Sequence, residues 1–363
     1  MLKVCFLLGG FQGNGGIGRV TSILVNELSK NTAFSVSTIS YCQTDKPMLY
    51  DLPSNVEKFA LYNTSISMAK ALLFKNAIKK VKTIIKENEI DILIVCGALF
   101  YPLGILATKG TSAKCYCWEH TDPSTSFDHK FQNACRKFAV KRADKIILLT
   151  KSAQKYYIEK LKTKKEKTFQ IYNPVGNEAF SSIEYDANSK NIISVGRLTY
   201  QKNFELLIEI AKEILPKFPN WTWDVYGEGE LKEKLSKLIT TNDLEGKVNL
   251  KGQVNDLYLR YKDYSFMVMT SRYEGFPMSL IEGGANKLPL ISFDIATGPN
   301  EIIDNEINGY LIDAQDKDAM ISCIKNLIDN EELRIKMSNN IYKKVQNFNL
   351  KEIVKQWEEL CKK

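Results

Sequence analysis

The chain has 363 residues, 44% hydrophobic and 25% charged, a composition typical of a globular protein with room for two domains of roughly 150–200 residues. No stretch reaches the ~18 apolar residues of a membrane span, and the N-terminus predicts a strand and a Gly-rich turn instead of a signal peptide. Eight scattered cysteines without a CxxC pair, and only two histidines (His120, His129), argue against a zinc site and favour reduced thiols in a cytoplasm.

The first half of the chain alternates strand and helix patterns. Its strands are predicted at Lys3–Gly9, Phe34–Tyr41, Ile90–Cys96, Ala113–Trp118 and Lys145–Thr150, and its helices at Ile17–Lys30 and Met68–Asn88. This alternation predicts a parallel sheet covered by helices on both faces.

The stretch from Phe169 to Lys190 interrupts this rhythm and is interpreted as a linker. The second half is predicted to have strands at Asn191–Val195, Trp221–Tyr226, Val248–Lys251, Phe266–Thr270 and Leu288–Phe293. Its helices are predicted at Asn203–Leu215, Glu230–Leu238, Pro277–Asn286, Lys317–Asp329 and Glu331–Phe348, followed by a helix at Leu350–Lys363 with one apolar face. The sequence therefore predicts an α/β protein with two doubly wound domains, residues 1–172 and 190–349, and a cleft between them.

The net charge of +8 is unevenly distributed. Residues 1–172 carry 26 lysines and arginines against 13 aspartates and glutamates, whereas residues 173–363 carry 24 against 29. This division suggests that the two halves face different partners.

In open α/β sheets, ligands bind beyond the carboxyl ends of the strands, so the loops after strands carry the functional prediction. The first such loop is Gly13-Asn14-Gly15-Gly16-Ile17-Gly18. Its glycines let backbone N–H groups approach an anion at a helix N-terminus, although a purely structural tight turn would show the same residues.

The second loop follows the first strand of the second half and contains Gly196, Arg197 and Lys202. The guanidinium of Arg197 can bind a diphosphate through two hydrogen bonds, and Lys202 adds a point charge. Solvated surface cations are the alternative interpretation of the same two residues.

The third loop runs from Ser271 to Ala285 and contains Glu274, the turn Gly275-Phe276-Pro277 and Glu282. Pro277 suits the first turn of a helix, whose N–H groups can bind phosphate. Glu274 can then reach sugar hydroxyls, and Glu282 ribose hydroxyls. Glutamates near a helix start are also ordinary partners of the helix dipole, but that role leaves the Gly-Phe-Pro turn unexplained.

Together these motifs resemble the family 4 retaining glycosyltransferases over essentially the whole chain. The matching residues are Gly15-Gly16-Ile17-Gly18, Gly196-Arg197-Leu198 with Lys202, Tyr226-Gly227-Glu228-Gly229, and Glu274-Gly275-Phe276-Pro277 with Glu282. The resemblance implies the GT-B fold of two Rossmann-like domains, with an acceptor-binding N-terminal domain and a donor-binding C-terminal domain. It also implies metal-independent catalysis without a cofactor, and a C-terminal helix that crosses back to the N-terminal domain.

The resemblance also implies residue roles. His120 corresponds to the histidine beside the reacting carbon, although a lone histidine is more often structural. The implied catalytic residues are Glu274, His120, Arg197 and Lys202. The implied donor-binding residues are Gly15, Gly16, Arg197, Lys202, Glu274, Gly275, Phe276, Pro277, Met278, Ser279, Leu280 and Glu282.

The segment Ala296-Thr297-Gly298-Pro299-Asn300-Glu301 departs from the usual Gly-Gly-x-x-Glu pattern of the family and resembles a bacterial subset that builds capsule, O-antigen or teichoic-acid glycans. The resemblance therefore implies transfer of a hexose or N-acetylhexosamine from a nucleotide sugar, with UDP favoured, to a glycan or lipid-linked acceptor. No Asp-x-Asp motif clearly follows a strand, so fixed cations would have to replace a metal ion.

Lysines are concentrated at Met68–Lys86 and Lys151–Lys167. They form either a solvated face or a surface that docks a cytoplasmic protein on an anionic membrane. Nucleic acid fits less well, because no basic aromatic strand accompanies them.

Two other functions fit part of the sequence. An NAD-dependent oxidoreductase would use Gly13-x-Gly15-x-x-Gly18, but it requires an acidic residue at the end of the second strand, where Val36–Tyr41 is uncharged. A non-catalytic sugar-binding or lipid-surface-binding protein would not need the combined cations and glutamates.

Overall fold

The computed structural model describes residues 1–12, 16–43, 50–63, 71–124, 130–180, 182–254 and 257–363. The chain divides into two compact units. Unit 1 comprises Met1–Pro174 together with Leu350–Lys363, and unit 2 comprises Val175–Asn349.

Unit 1 contains a parallel sheet with the strand order β3-β2-β1-β4-β5-β6-β7. The strands are β1 (Leu2–Leu8), β2 (Phe34–Cys42), β3 (Glu57–Tyr62), β4 (Ile92–Cys96), β5 (Lys114–Glu119), β6 (Lys145–Leu148) and β7 (Thr168–Gln170). The connecting helices are α1 (Gly16–Leu28), α2 (Ala71–Glu87), α3 (Tyr101–Thr108), α4 (Lys130–Arg142) and α5 (Lys151–Glu159). All five residues of β4 are buried, as expected for a central strand covered on both faces.

Unit 2 contains a second parallel sheet with the order β10-β9-β8-β11-β12-β13. Its strands are β8 (Asn191–Val195), β9 (Thr222–Tyr226), β10 (Val248–Gly252), β11 (Phe266–Met269), β12 (Leu290–Asp294) and β13 (Gly309–Asp313). Its helices are α6 (Phe204–Ile214), α7 (Lys232–Thr241), α8 (Leu257–Arg260), α9 (Met278–Ala285), α10 (Pro299–Ile302), α11 (Lys317–Asp329) and α12 (Glu331–Val345). In both units the first three strands follow one another to one side, and the fourth strand lies on the opposite side of the first, which is the Rossmann arrangement.

The last helix, α13 (Leu350–Lys362), belongs to unit 1 although it follows unit 2 in the chain. Its buried face carries Leu350, Ile353, Trp357, Leu360 and Cys361. Each large apolar side chain on this face stabilises the docked helix by about 1.5–3 kcal/mol through its removal from water.

The α/β fold class predicted from the sequence is confirmed, but several elements were not predicted. These are β3, β7, β13, α3, α4, α5, α8 and α10. The edge strand β3 begins with the exposed residues Glu57 and Lys58, which hide its period, and α3 is almost wholly buried, so it shows no amphipathic stripe.

The predicted linker also needs correction. Its first residues lie in β7, and the chain from Val175 onward is part of unit 2. Side chains of unit 2 hold this segment: Asn286 Nδ2 donates to Ala179 O at 2.8 Å, and Arg334 Nη2 donates to Ala187 O at 2.7 Å. A polar segment between two sheets can therefore be structurally fixed, because its carbonyl groups are partners for buried donors.

Candidate functional site

The strand order of unit 2 reverses between β8 and β11, which are direct neighbours in the sheet. This is the position where doubly wound sheets bind ligands. β8 leads into Gly196 and Arg197, and β11 leads into the loop with Glu274. The topology therefore brings the second and third predicted loops to one edge of the sheet.

Glycines fix the course of the loop after β8. The Gly196 N–H donates to Tyr226 O at 2.9 Å. A Cβ atom on Gly227, whose φ is +141°, would lie 1.9 Å from Gly196 O, and one on Gly229 would lie 2.4 Å from Leu198 O. The two loops thus approach backbone to backbone, which explains the glycines of the Tyr226–Gly229 motif.

Lys202 and Glu274 form an ion pair at this edge. Lys202 Nζ lies 2.5 Å from Glu274 Oε1, and the two side chains are 15% and 8% exposed. Ser271 Oγ donates to Glu274 Oε1 at 2.7 Å, and Gln201 Nε2 donates to Oε2 at 3.2 Å. The Thr270 hydroxyl donates to Lys202 O at 3.0 Å and fixes the backbone of the lysine.

The carboxylate of Glu274 therefore accepts two of these bonds at Oε1 and one at Oε2. A carboxylate oxygen offers about two acceptor positions, so Oε2 retains capacity for a further donor such as a sugar hydroxyl. The sequence assigned Lys202 to the diphosphate and Glu274 to the sugar, and the structure joins these two side chains directly.

The turn Gly275-Phe276-Pro277 is packed from two sides. Phe276 is buried and contacts the Phe348 ring edge to face, with centroids 5.5 Å apart. Gly298, with φ +103°, approaches Pro277 so closely that a Cβ atom would lie 2.4 Å from Pro277 Cδ. Thr297 Oγ1 donates to Glu274 O at 2.5 Å. The atypical segment after β12 therefore braces the turn that carries Glu274.

Helix α9 begins one residue later than predicted. Pro277 precedes the helix, and Met278 and Ser279 occupy its half-buried first positions, where backbone N–H groups lack intrahelical acceptors. The side chain of Leu280 is fully buried and its N–H donates to Pro277 O at 3.1 Å, while its donor-binding role stays a prediction. Leu280 therefore supports the turn from the core.

Glu282 is buried within α9 and faces two tyrosines. Tyr261 and Tyr258 place their hydroxyl groups 3.4 Å from Oε2 and 3.5 Å from Oε1. The small residues that follow have packing roles: a Cβ atom on Gly283 would lie 2.9 Å from Met267 Sδ, and one on Gly284 2.8 Å from Ile341 Cγ1. They bring α9 close to β11 and α12.

Arg197 is exposed, and its guanidinium makes no hydrogen bond or ion pair with any other residue that the structure describes. It lies in the same loop as Lys202, six residues after the start of β8. The loop therefore supplies one cation bound to a carboxylate and one cation that an anion can reach.

In unit 1, the predicted phosphate loop is only partly described. Gly13, Asn14 and Gly15 lie outside the described residues, whereas Gly16 is exposed and begins α1. A Cβ atom on Gly16 would meet nothing within 4 Å. The first residue of α1 is thus exposed, with free space beside its Cα atom.

His120 follows β5 directly. Its ring stacks on Trp118 with centroids 4.2 Å apart, and Trp118 in turn contacts Trp357 of α13 at 4.7 Å. Burial lowers the pKa of His120 to about 3, although neighbouring Glu119 acts in the opposite direction. The imidazole is therefore neutral at physiological pH and cannot serve there as a charged acid.

Two protein-family models match the chain. The profile of Glycosyltransferase Family 4 matches residues 14–178, and that of Glycosyl transferases group 1 matches residues 177–344. The chain belongs to the family 4 glycosyltransferases. The predicted family and glycosyltransferase activity are thus confirmed, and the oxidoreductase alternative has no support.

This glycosyltransferase is 28% identical to the amylovoran biosynthesis glycosyltransferase AmsD of Erwinia amylovora, over 99% of both chains. It is also 28% identical to a poly(ribitol-phosphate) alpha-N-acetylglucosaminyltransferase of Staphylococcus aureus, over 75% of its own length and 55% of the relative. The crystal structure of a mutant of S. aureus TarM, in complex with fondaparinux, alpha-GlcNAc-glycerol and UDP, superposes with a TM-score of 0.85 over 100% of both chains at 17% identity. The last comparison shows a shared fold.

The glycosyltransferase contains further residues at these positions that the sequence did not single out. Gln201 and Ser271 bind the Glu274 carboxylate, and Tyr258 and Tyr261 face Glu282. The first two lie inside recognised motifs, whereas the tyrosines are 21 to 24 residues from Glu282, beyond any local pattern. Within the described part of the chain, no helix has the length and apolar character of a membrane span, and no three or more His, Cys, Asp or Glu side chains could hold a metal ion.

Proposed function

We propose that this glycosyltransferase transfers a hexose or N-acetylhexosamine from a UDP-sugar to a glycan or lipid-linked acceptor of a bacterial surface polysaccharide. Transfer retains the anomeric configuration and requires neither a metal ion nor a cofactor. The observation that carries the proposal is the Lys202–Glu274 pair at the switch point of unit 2, with the exposed cation of Arg197 in the same loop.

The charge of this loop suits the leaving group. When the bond between the sugar C1 and the phosphate oxygen breaks, its electron pair stays on UDP, whose negative charge grows. Lys202, Arg197 and the N–H groups at the start of α9 are positive or partly positive groups that stabilise such a charge without a metal ion. Removal of a single donor of this kind typically costs roughly 10²–10³-fold in rate.

Retention follows if the acceptor attacks C1 from the face that UDP leaves. The acceptor oxygen forms the new bond to C1, and its proton passes to the departing phosphate oxygen, so no enzyme base is consumed. Glu274 then orients the sugar through the free capacity of Oε2, and Glu282 holds the ribose. The three hydrogen bonds already made to Glu274 suit it to orient a hydroxyl rather than to form a covalent intermediate.

His120 acts in this scheme as a neutral ring that hydrogen-bonds the transferred sugar beside C1. Its pKa of about 3, caused by burial, supports this role because a neutral imidazole can donate and accept without changing charge. The assignment itself comes from the family resemblance.

The donor and acceptor classes are supported by the relatives. TarM was crystallised with UDP and alpha-GlcNAc-glycerol, the S. aureus relative is named as an alpha-N-acetylglucosaminyltransferase, and AmsD is named for amylovoran biosynthesis. The hydroxyl groups of half-buried Tyr258 and buried Tyr261 beside Glu282 fit the recognition of ribose hydroxyls.

We also propose that unit 1 docks a cytoplasmic enzyme on an anionic membrane. Lys151, Lys155, Lys160, Lys162, Lys164 and Lys165 are all exposed, and each cation near such a surface contributes about 1 kcal/mol. On α2, by contrast, Lys80 and Lys82 each donate at 2.5 Å to a backbone carbonyl, so they contribute less to membrane binding.

A vesicle assay tests this docking. The variant Lys155→Glu/Lys164→Glu/Lys165→Glu should lose cosedimentation with phosphatidylglycerol vesicles, whereas Lys212→Glu/Lys217→Glu/Lys237→Glu, with the same charge change on unit 2, should keep it. Equal loss in both variants, or equal binding of the wild type to phosphatidylcholine, would refute the docking surface.

A donor panel tests the transferase proposal. UDP-glucose, UDP-galactose, UDP-N-acetylhexosamines and GDP-mannose are first ranked by thermal shift and then assayed for nucleotide release. We expect stabilisation and slow nucleotide release with one UDP-sugar. No turnover of any nucleotide sugar, together with tight NAD binding, would overturn the proposal.

A further inference from the structure

A buried ion pair lies directly beside His120 in unit 1. Arg136 Nε lies 2.8 Å from Glu119 Oε2, and both side chains are 2% exposed. Tyr157, from α5, donates to the same oxygen at 2.8 Å. Burial alone would raise the Glu119 pKa, but Arg136 and the hydrogen bonds hold it below its ordinary value. The carboxylate is therefore charged and fully engaged.

The other carboxylate oxygen of Glu119 reaches across His120 to the next residue. Glu119 Oε1 accepts the Thr121 N–H at 3.2 Å and the Thr121 hydroxyl at 2.8 Å. Arg136 Nη2 donates to the same hydroxyl at 2.7 Å. The Thr121 hydroxyl thus acts as donor and acceptor at once, and the residues on both sides of His120 are tied to one charged pair.

The residues that follow Thr121 are also held by hydrogen bonds. Asp122 is buried, and its Oδ1 accepts the Ser124 N–H at 2.8 Å and the Ser124 hydroxyl at 2.7 Å. The backbone before His120 is paired with β6, the backbone after it is hydrogen-bonded at Thr121 and Ser124, and the imidazole itself stacks on Trp118. These contacts leave the ring little freedom to change its position.

The energetic cost of this arrangement also calls for an explanation. Removing two charges from water costs several kcal/mol per ion, and a well-packed apolar pair often gives equal or greater stability. Stability alone therefore does not require Glu119 and Arg136. Both residues contact Thr121, which directly follows His120, and this contact points to a geometric role there.

We propose that Glu119, Arg136 and Thr121, here called the Glu119 clamp, are positioning residues that fix His120 for sugar transfer. The inference rests on the proposed function, because it requires that His120 contacts the reacting sugar. A displacement of about 1 Å in such a group can lower a rate by roughly 10²-fold.

Two isosteric variants test the clamp. Thr121→Val and Tyr157→Phe each remove one hydroxyl that donates to Glu119 at 2.8 Å, but only the first adjoins His120. We expect Thr121→Val to lower kcat about tenfold or more at unchanged donor KM, and Tyr157→Phe to change kcat less than about twofold. Equal kcat in the two variants would overturn the proposal.

A second readout does not depend on transfer. The chain has two histidines, so in a His129→Gln background the only imidazole NMR signals come from His120. Thr121→Val should shift or broaden these signals, whereas Tyr157→Phe should leave them in place. Unchanged signals in Thr121→Val would contradict the clamp even if its rate fell.

If Glu119→Gln or Arg136→Met alone fails to fold, the double variant removes both charges and avoids an unpaired buried ion. It should fold, bind UDP as the wild type does and transfer slowly, and wild-type kcat would refute the clamp. A wild-type rate in His120→Gln would overturn the role of His120 in the proposed function. Impaired His120→Gln with normal Thr121→Val would overturn the positioning alone.

Discussion

Lys202 and Glu274 are 72 residues apart in the sequence and form an ion pair of 2.5 Å at the switch point of unit 2. Their pairing means that the cation proposed for the diphosphate also neutralises the carboxylate proposed for the sugar. A donor that binds there contacts a preformed group whose side chains are already oriented, which reduces the reorganisation needed during transfer.

The first prediction concerns the stability of this pair. Lys202→Met leaves the Glu274 carboxylate without its cation, and loss of one partner of a buried pair costs up to about 3–5 kcal/mol. The double variant Lys202→Met/Glu274→Gln should recover most of this loss without recovering transfer. Urea unfolding measures the difference, and equal stability of the single and double variants would contradict the coupling.

The second prediction concerns the glycine contact between the loops after β8 and β9. Gly227→Ala should destabilise the protein by about 2 kcal/mol or more and weaken UDP binding, because the new Cβ would displace the backbone at Gly196. Gly246→Ala is the control: it also has a positive φ, +73°, but meets no atom within 4 Å. Gly246→Ala should lower the free energy of unfolding by about 1–2 kcal/mol and leave UDP affinity unchanged. Matching losses of UDP affinity would be incompatible with this account.

The third prediction concerns acid sensitivity. His120 has a pKa of about 3 in the folded protein and an ordinary value of 6.5 in the unfolded chain. The unfolded state therefore binds more protons between these values, so stability falls as the pH decreases through this window. His120→Gln should lower the slope of unfolding free energy against pH by up to about 1.4 kcal/mol per unit between roughly pH 6 and 4. Denaturant midpoints with identical pH dependence in both proteins would refute it.

Much of the fold can be predicted from local sequence patterns. Apolar runs such as Ile90–Cys96 indicate the central strands, and the apolar face of Leu350–Lys363 indicates a docked helix. Helix α4 was not predicted because it is dominated by polar and basic residues, and its Arg136 is buried only through a partner on β5. A charged residue in a weakly patterned segment gives no sequence signal of burial, so the Glu119 clamp could not be predicted.

In the candidate site, too, local motifs can be predicted but contacts between distant segments cannot. The glycine and glutamate motifs placed Gly196, Glu274 and Glu282 correctly in loops and helices, because turn chemistry is local. The partnership of Lys202 with Glu274 depends on the adjacency of β8 and β11, which only the strand order reveals. The support of Pro277 by Gly298 likewise depends on two loops that meet after folding.

The measurement that tests the central claim most directly compares Glu274→Ala with Glu282→Ala, using UDP affinity by calorimetry and transfer by UDP release. If Glu274 orients the sugar and Glu282 the ribose, Glu274→Ala should abolish transfer while largely keeping UDP affinity. Glu282→Ala should weaken UDP binding itself. Equal effects of the two variants on both UDP affinity and transfer would contradict the account.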